Sequence, residues 1–329
     1  MNKRLLVLAV AGAFGAAGAA SASAHSVGEV DLSIGGHVET GFYVTDDATE
    51  GTPDSREQRF NTEGELSFRA TVNDNAYVRA DIDINSRYSD TDETIEIEQL
   101  YGALRINDMA KVRVGRFTNP LGYESIDAPH KTTYSRSVII DLLDDQTGLY
   151  QNTIEGVAVD LDLGPAKLTL GVLNEIGDTD EENSFLAHVS GEALPGLKLA
   201  LGVLTQEDID DSANNTFENL INFNAAYNID LGAVNTTFFV DYLTAGEDLD
   251  NAYSLGAKAM FTDTIGATLR YDMAEYDNDD EETALTLGVN WAAAQSVDIR
   301  AEWRNDEFEA NGAKVSDDDS VILSAVFSF

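Results

Sequence analysis

Charge that recurs at every second residue is the chemistry this chain offers most plainly. Glu39, Glu63, Glu65, Arg69, Arg79, Asp81 and Asp83 alternate with apolar neighbours such as Val38, Leu66, Phe68, Ala80 and Ile82. The same phase continues through Arg105, Lys111, Arg113, Arg270, Arg300 and Arg304. Both signs are present, which suits the steering of ions and dipoles. Covalent chemistry finds less support. The absence of cysteine removes thiolate nucleophiles, thiolate metal sites and a disulfide scaffold. His25, His37, His130 and His188 are scattered without metal-ligand spacing, and no Gly-x-Ser-x-Gly elbow presents a serine nucleophile. Gly12 and Gly15 fall in the N-terminal leader, so no phosphate-binding glycine loop is expected. The acidic runs 178–182, 277–282 and 317–319 offer carboxylate oxygens of the kind calcium prefers, but none has EF-hand spacing. They read as solvated outer loops able to bridge divalent cations; no metal site or other cofactor is assigned.

Composition narrows the partners. The chain has 329 residues, a formal charge of −39 and 43% hydrophobic residues. That apolar content is too high for a disordered polymer. An acidic excess of this size argues against nucleic acid, whose phosphates require a basic face. Lys3 and Arg4 precede an apolar run from Leu5 to Ala20 that ends in Ala22-Ser23-Ala24. A charged segment, an apolar segment and a small-x-small site make residues 1–24 a signal peptide, leaving 25–329 as a single domain. No later stretch approaches the ~18 consecutive apolar residues of a spanning helix.

The dominant period from Glu29 onward is two, which is the strand period. Val30, Leu32, Ile34, Val38, Phe42 and Val44 form an apolar stripe, with Asp31, Ser33, His37, Glu39 and Tyr43 on the other face. Short turn signals fall near 73–75, 107–109, 164–165, 191–196, 229–232, 262–264 and 293–295. Longer acidic connections alternate with them, around 46–59, 86–94, 176–183, 206–216, 244–250, 277–281 and 305–317, together with the stretch 118–151. The connections predict sixteen antiparallel strands in an all-β, up-and-down barrel. Short turns on one side and long loops on the other are the pattern of outer-membrane barrels.

A soluble sandwich also alternates, but its strands centre on ~5–6 residues rather than the ~9–11 needed to cross a bilayer. Aromatics near the ends of the apolar stripes, among them Phe42, Phe60, Tyr227, Trp291, Trp303 and Phe327, suit interfacial girdles. The opposite face carries too many charges for a packed interior, whereas a water-filled lumen accommodates them. On this basis the apolar face touches lipid and the charged face borders solvent.

The segment Gly115-Arg116-Phe117-Thr118-Asn119-Pro120-Leu121-Gly122-Tyr123-Glu124, followed by Tyr134-Ser135-Arg136-Ser137, resembles phosphate/polyphosphate-type and related β-barrel porins. Its position after the fifth strand resembles the inward third loop of general diffusion porins. The C-terminal strand ending in Phe329 resembles the signal read by barrel-assembly machinery. The resemblance implies residence in a Gram-negative outer membrane among lipid and lipopolysaccharide, a homotrimer, and an eyelet. In that eyelet Arg69, Arg79, Arg105, Lys111 and Arg113 on the wall would face Glu124, Asp127, Asp141, Asp144 and Asp145 on the loop. Some of these residues are expected to anchor the loop instead. Glu63, Glu65, Asp81, Asp83, Arg270, Arg300 and Arg304 are further lumen candidates. Arg116 falls on the apolar phase and is expected at a rim or strand end. Phosphate selection would need a ladder of basic residues that these carboxylate-rich loops do not offer, so the expectation is a cation-preferring, non-enzymatic diffusion channel. A non-conducting surface receptor or adhesin, and a barrel hydrolase, are the alternatives from other classes.

Overall fold

A computed structural model describes residues 30–47, 55–86, 93–147, 149, 151–174, 176, 183–205, 219–232, 234–245, 249–276 and 278–329. The expected signal peptide, residues 1–24, and the acidic run 178–182 lie outside these residues. The strands are β1 (Asp31–Asp47), β2 (Ser55–Asn73), β3 (Ala76–Ser86), β4 (Glu93–Asn107), β5 (Ala110–Thr118), β6 (Thr153–Asp162), β7 (Ala166–Asn174) and β8 (Asn183–Leu194). They continue with β9 (Leu197–Thr205), β10 (Leu220–Asp230), β11 (Asn235–Ala245), β12 (Leu249–Met260), β13 (Ile265–Tyr276), β14 (Glu281–Ala294), β15 (Val297–Ala310) and β16 (Ala313–Ser328). Each strand pairs antiparallel with its sequence neighbours, and β1 pairs with β16 to close the barrel. Closure leaves no strand edge unpaired, the condition lipid imposes on a spanning sheet. At the seam the amides of Gly36 and Phe329 exchange hydrogen bonds of 3.2 and 3.0 Å.

Side chains separate by phase as the pleat requires. Leu32, Ile34, Phe60, Ile95, Leu100, Trp291, Val321, Leu323 and Phe327 are all exposed on the outer face. Glu39, Glu65, Asp81, Asp241, Arg270, Asp272 and Arg300 are buried on the inner one. Large apolar side chains outside and ionised ones inside invert the arrangement of a water-soluble protein.

Two expectations change. The stretch 305–317 is not a long loop: β15 and β16 run on as a hairpin joined by Asn311 and Gly312, both at positive φ (52° and 73°). That is the residue pair favoured in two-residue hairpin turns. The acidic side chains there are tied along the ribbon, with Lys314 Nζ 2.8 Å from Glu307 and 2.9 Å from Asp317. Nor is the inner face uniformly polar. Leu173, Leu186, Leu204, Leu220 and Leu243 share the inner phase near the long-loop end of β7–β11 and are buried in an apolar cluster.

Candidate functional site

The cluster's partner comes from the connection between β5 and β6. Within it lies a helix, α1 (Val138–Thr147), preceded by a 3-10 turn at Ala128–His130. Val138, Ile139, Ile140, Leu142 and Leu143 are buried in the same apolar cluster as the inner-phase leucines. The backbone of Ser137 accepts from Ile140 N at 3.0 Å and from Asp141 N at 3.2 Å, in the manner of a helix N-cap. The base of the connection is pinned where Asn119 N donates to Asn152 O (3.0 Å) and Asn119 Nδ2 to Asn152 Oδ1 (3.0 Å). Gly115 enters it at φ +123°, and a β-carbon there would lie 2.3 Å from Leu100 O. The backbone path at this point requires glycine. Arg116 is held on the outer phase by Ile97 O at 3.1 Å and Glu155 at 3.6 Å.

Wall side chains from the far side of the barrel grip the rest of the connection. Arg270, 1% exposed on β13, reaches Glu124 Oε1 at 3.0 Å, Ser135 Oγ at 3.0 Å and the Arg136 carbonyl at 2.7 Å. Arg304 on β15 donates to the same carbonyl at 2.7 Å, and Arg300 donates to the carbonyl of Ala128. Carboxylates and amides take the donors. Tyr134 N donates to Glu302 at 2.7 Å, Tyr123 N to Asp241 at 2.7 Å, and Gly122 N to Asn222 Oδ1 at 3.0 Å. The Tyr134 ring lies over Gly41, where a β-carbon would come within 2.8 Å, and its hydroxyl accepts from Asn61 at 3.2 Å. All these wall partners belong to the inner phase. A loop backbone whose N–H and C=O groups are met by buried charged side chains carries some of the strongest hydrogen bonds a protein makes.

The five predicted wall cations do not meet the loop acids: among the described residues no ion pair joins the two sets. Arg113 makes a bidentate contact to Asp160 (2.8 and 2.8 Å), and Lys111 Nζ approaches the same carboxylate at 3.1 Å. Arg79 pairs with Asp81 at 2.6 Å, Arg69 stacks over Tyr77 with its guanidinium carbon 3.9 Å from the ring centre, and Arg105 is exposed near the short turn 108–109. The loop acids turn elsewhere. Glu124 goes to Arg270, Asp144 to Arg136 at 2.9 Å, and Asp127 to His130 at 3.5 Å. Asp141 and Asp145 are exposed. Burial within the surrounding protein pushes the Asp141 carboxyl up to about 6, although 54% of its side chain is reached by solvent.

An acidic crevice remains between the loop and β1–β4. Glu63, Glu65, Asp83, Glu98 and Asp127 line it, together with His37, Arg136 and Gln151. Three predicted lumen residues therefore meet here. Glu98 was not foreseen, and the reason is local. Asp81 pairs with Gln99 but Ile82 pairs with Ile97, so Glu98 is the extra residue of a β-bulge. Ile97 and Leu100 both face outward, so Glu98 and Gln99 between them both turn in. The two polar residues in succession, which break strict alternation, are the signal that could have found it. Glu302 and Asp241, as loop anchors, had no comparable signal because their partners are backbone amides far along the chain.

A closed sixteen-stranded antiparallel barrel with an apolar exterior and a charged interior defines the class of outer-membrane porins. The chain belongs to the family described as "Putative beta-barrel porin-2, OmpL-like", whose model matches residues 31–329. This family and fold imply the Gram-negative outer membrane. Among solved structures the outer membrane channel DcaP of Acinetobacter baumannii is similar at 15% identity and a TM-score of 0.65, covering 91% of this chain and 97% of that one. An anion-selective porin from Comamonas acidovorans is similar at 14% identity and a TM-score of 0.65, covering 92% and 100%. OprB of Pseudomonas putida, at 12% identity and a TM-score of 0.68, covers 91% and 94%. At these identities the likeness speaks to the fold. No protein of curated function matches the chain.

Proposed function

We propose that this chain is a passive diffusion channel for small hydrophilic solutes and ions, with a preference for cations. The observation that carries the preference is the acidic crevice, where Glu63, Glu65, Asp83, Glu98 and Asp127 outnumber Arg136 and His37. Carboxylates clustered at close range in a pore attract cations and repel anions. The opposing basic residues offset this sign only in part, because Asp160 takes up one of the two charges of Lys111 and Arg113, and Asp81 neutralises Arg79. The segment 118–151, held by inner-phase side chains, acts in this reading as the constriction and sets the size limit. Arg270, Arg300 and Arg304 serve as its anchors rather than as selectivity residues. No catalytic step is assigned.

A homotrimer fits this reading, since a Vibrio cholerae OmpT of similar fold is described in a trimer form. Export by the 1–24 leader, insertion through assembly machinery that reads Phe329, and contact with lipopolysaccharide complete the proposed context. Planar-bilayer recording of the refolded full chain tests the function. Discrete, stable conductance steps are expected. A folded protein that inserts but stays silent would favour a surface receptor instead.

A further inference from the structure

Three carboxylates on neighbouring strands converge on the inner wall: Glu65 of β2, Asp81 of β3 and Glu98 of β4. One oxygen of each lies within 4.8 Å of the others, and all three side chains are buried. Their hydrogen bonds are incompletely met. Asp81 Oδ2 takes Arg79 at 2.6 Å and Gln99 at 2.7 Å, leaving Oδ1 with no partner. Glu98 Oε1 is likewise buried without a partner, and Glu98 is only 2% exposed while Asp81 is 0%. Glu65 accepts from Ser67, and His37 Nδ1 stands 3.9 Å away. The bulge in β4 is what aims Glu98 at this spot rather than out of register with it.

Buried acceptor oxygens without donors are rare in folded proteins, and a bound ion is one of the few explanations for them. Three carboxylates against the single Arg79 guanidinium leave a local charge that a divalent cation balances. The ligand set is all oxygen, which selects hard cations. Calcium, with Ca–O distances of about 2.3–2.6 Å, has a coordination sphere about 4.6–5.2 Å across, and the oxygens fit within it. Magnesium, at about 2.0–2.1 Å and reluctant to shed water, fits less well. Glu65 and Glu98 also line the crevice, so an ion can reach them. The loop carboxylate Asp127 acts electrostatically on all three.

We propose that Glu65, Asp81 and Glu98 form a calcium site in the barrel wall, at a place the sequence reading gave no metal. An ion there fastens β2, β3 and β4 where the bulge interrupts their ladder, and it draws Asp127 of the loop toward the wall. This holds whether or not the barrel conducts.

The test is calorimetric titration of calcium alone into the chelator-stripped, refolded full chain in micelles, at about 0.3 M KCl to screen the exposed acidic loops. One saturable site per chain is expected. Glu98→Gln should weaken it at least tenfold, Asp263→Asn in an exposed short turn should leave it unchanged, and magnesium should compete poorly. Glu65→Gln serves as a second variant should Glu98→Gln fail to give the heat-modifiable barrel. The proposal is overturned if the folded wild-type chain shows no saturable site. It is equally overturned if a folded variant binds as the wild type does, which would place the ion at other residues.

Discussion

Arg270→Met is the sharpest perturbation of the loop anchorage, because it keeps an unbranched stem against the wall and removes all the donors. In the folded chain Arg270 holds Glu124, Ser135 and the Arg136 carbonyl on the loop, and Asp272 on its own strand at 2.8 Å. Breaking a buried pair on one side costs about 3–5 kcal/mol, because the abandoned charge stays buried. The loss is not doubled by the second carboxylate: Asp272 keeps Ser254 at 2.5 Å, and Glu124 keeps Ser137 N at 2.7 Å. At about 1.4 kcal/mol per tenfold, that is roughly two to three and a half powers of ten in the equilibrium between docked and released loop. The sheet itself is untouched, so the barrel should still refold and migrate as a compact species. Single-channel recording should show larger open-channel noise and excursions to higher conductance, with Arg270→Lys intermediate because it restores charge without the fork. Wild-type noise and conductance in a folded Arg270→Met protein would refute the anchoring role.

Three further outcomes follow from particular residues. The Asp141 carboxyl is charged above about 6 and neutral below it, so lowering pH from 7.5 to 5 should weaken cation preference; Asp141→Asn should lose that pH step, and an unchanged step would assign it to another group. Gly115→Val places a side chain where a β-carbon already meets Leu100 O at 2.3 Å with φ at +123°, so the yield of heat-modifiable barrel should collapse; a normal yield would contradict the backbone path. Trp291, 48% exposed, and Trp303 both sit on the outer phase, paired in register with Ile299 and with Leu287. Brominated phospholipids should therefore quench most of the fluorescence and aqueous iodide little, and the reverse would place the apolar face in water.

Period-two alternation and the turn residues carried the barrel into view, since each strand reports its own two faces locally. The helix in the β5–β6 connection was harder to see. Val138, Ile139, Ile140, Leu142 and Leu143 have helical spacing, but the apolar cluster they join draws Leu173, Leu186, Leu204, Leu220 and Leu243 from five different strands. Those leucines occupy the inner phase, where an open lumen predicts polar residues, so the sequence hid a packed sector of wall. The basic residues of β2–β5 were found, but their neutralisers were not paired with them, because Asp160 reaches Arg113 from β6. Asn311-Gly312 was masked by the acids around it, which read as a loop although they line a hairpin. Site geometry that depends on distant partners is invisible to a local pattern; geometry set by the pleat is not.

The sign of the charge that solutes meet in the pore is the centre of this account, and the zero-current potential across a bilayer under a tenfold KCl gradient measures it directly. The acidic crevice predicts a potential of the cation-selective sign, reduced when Glu63 and Asp127 are replaced by Gln and Asn. A potential of the anion-selective sign in the wild-type channel would contradict it.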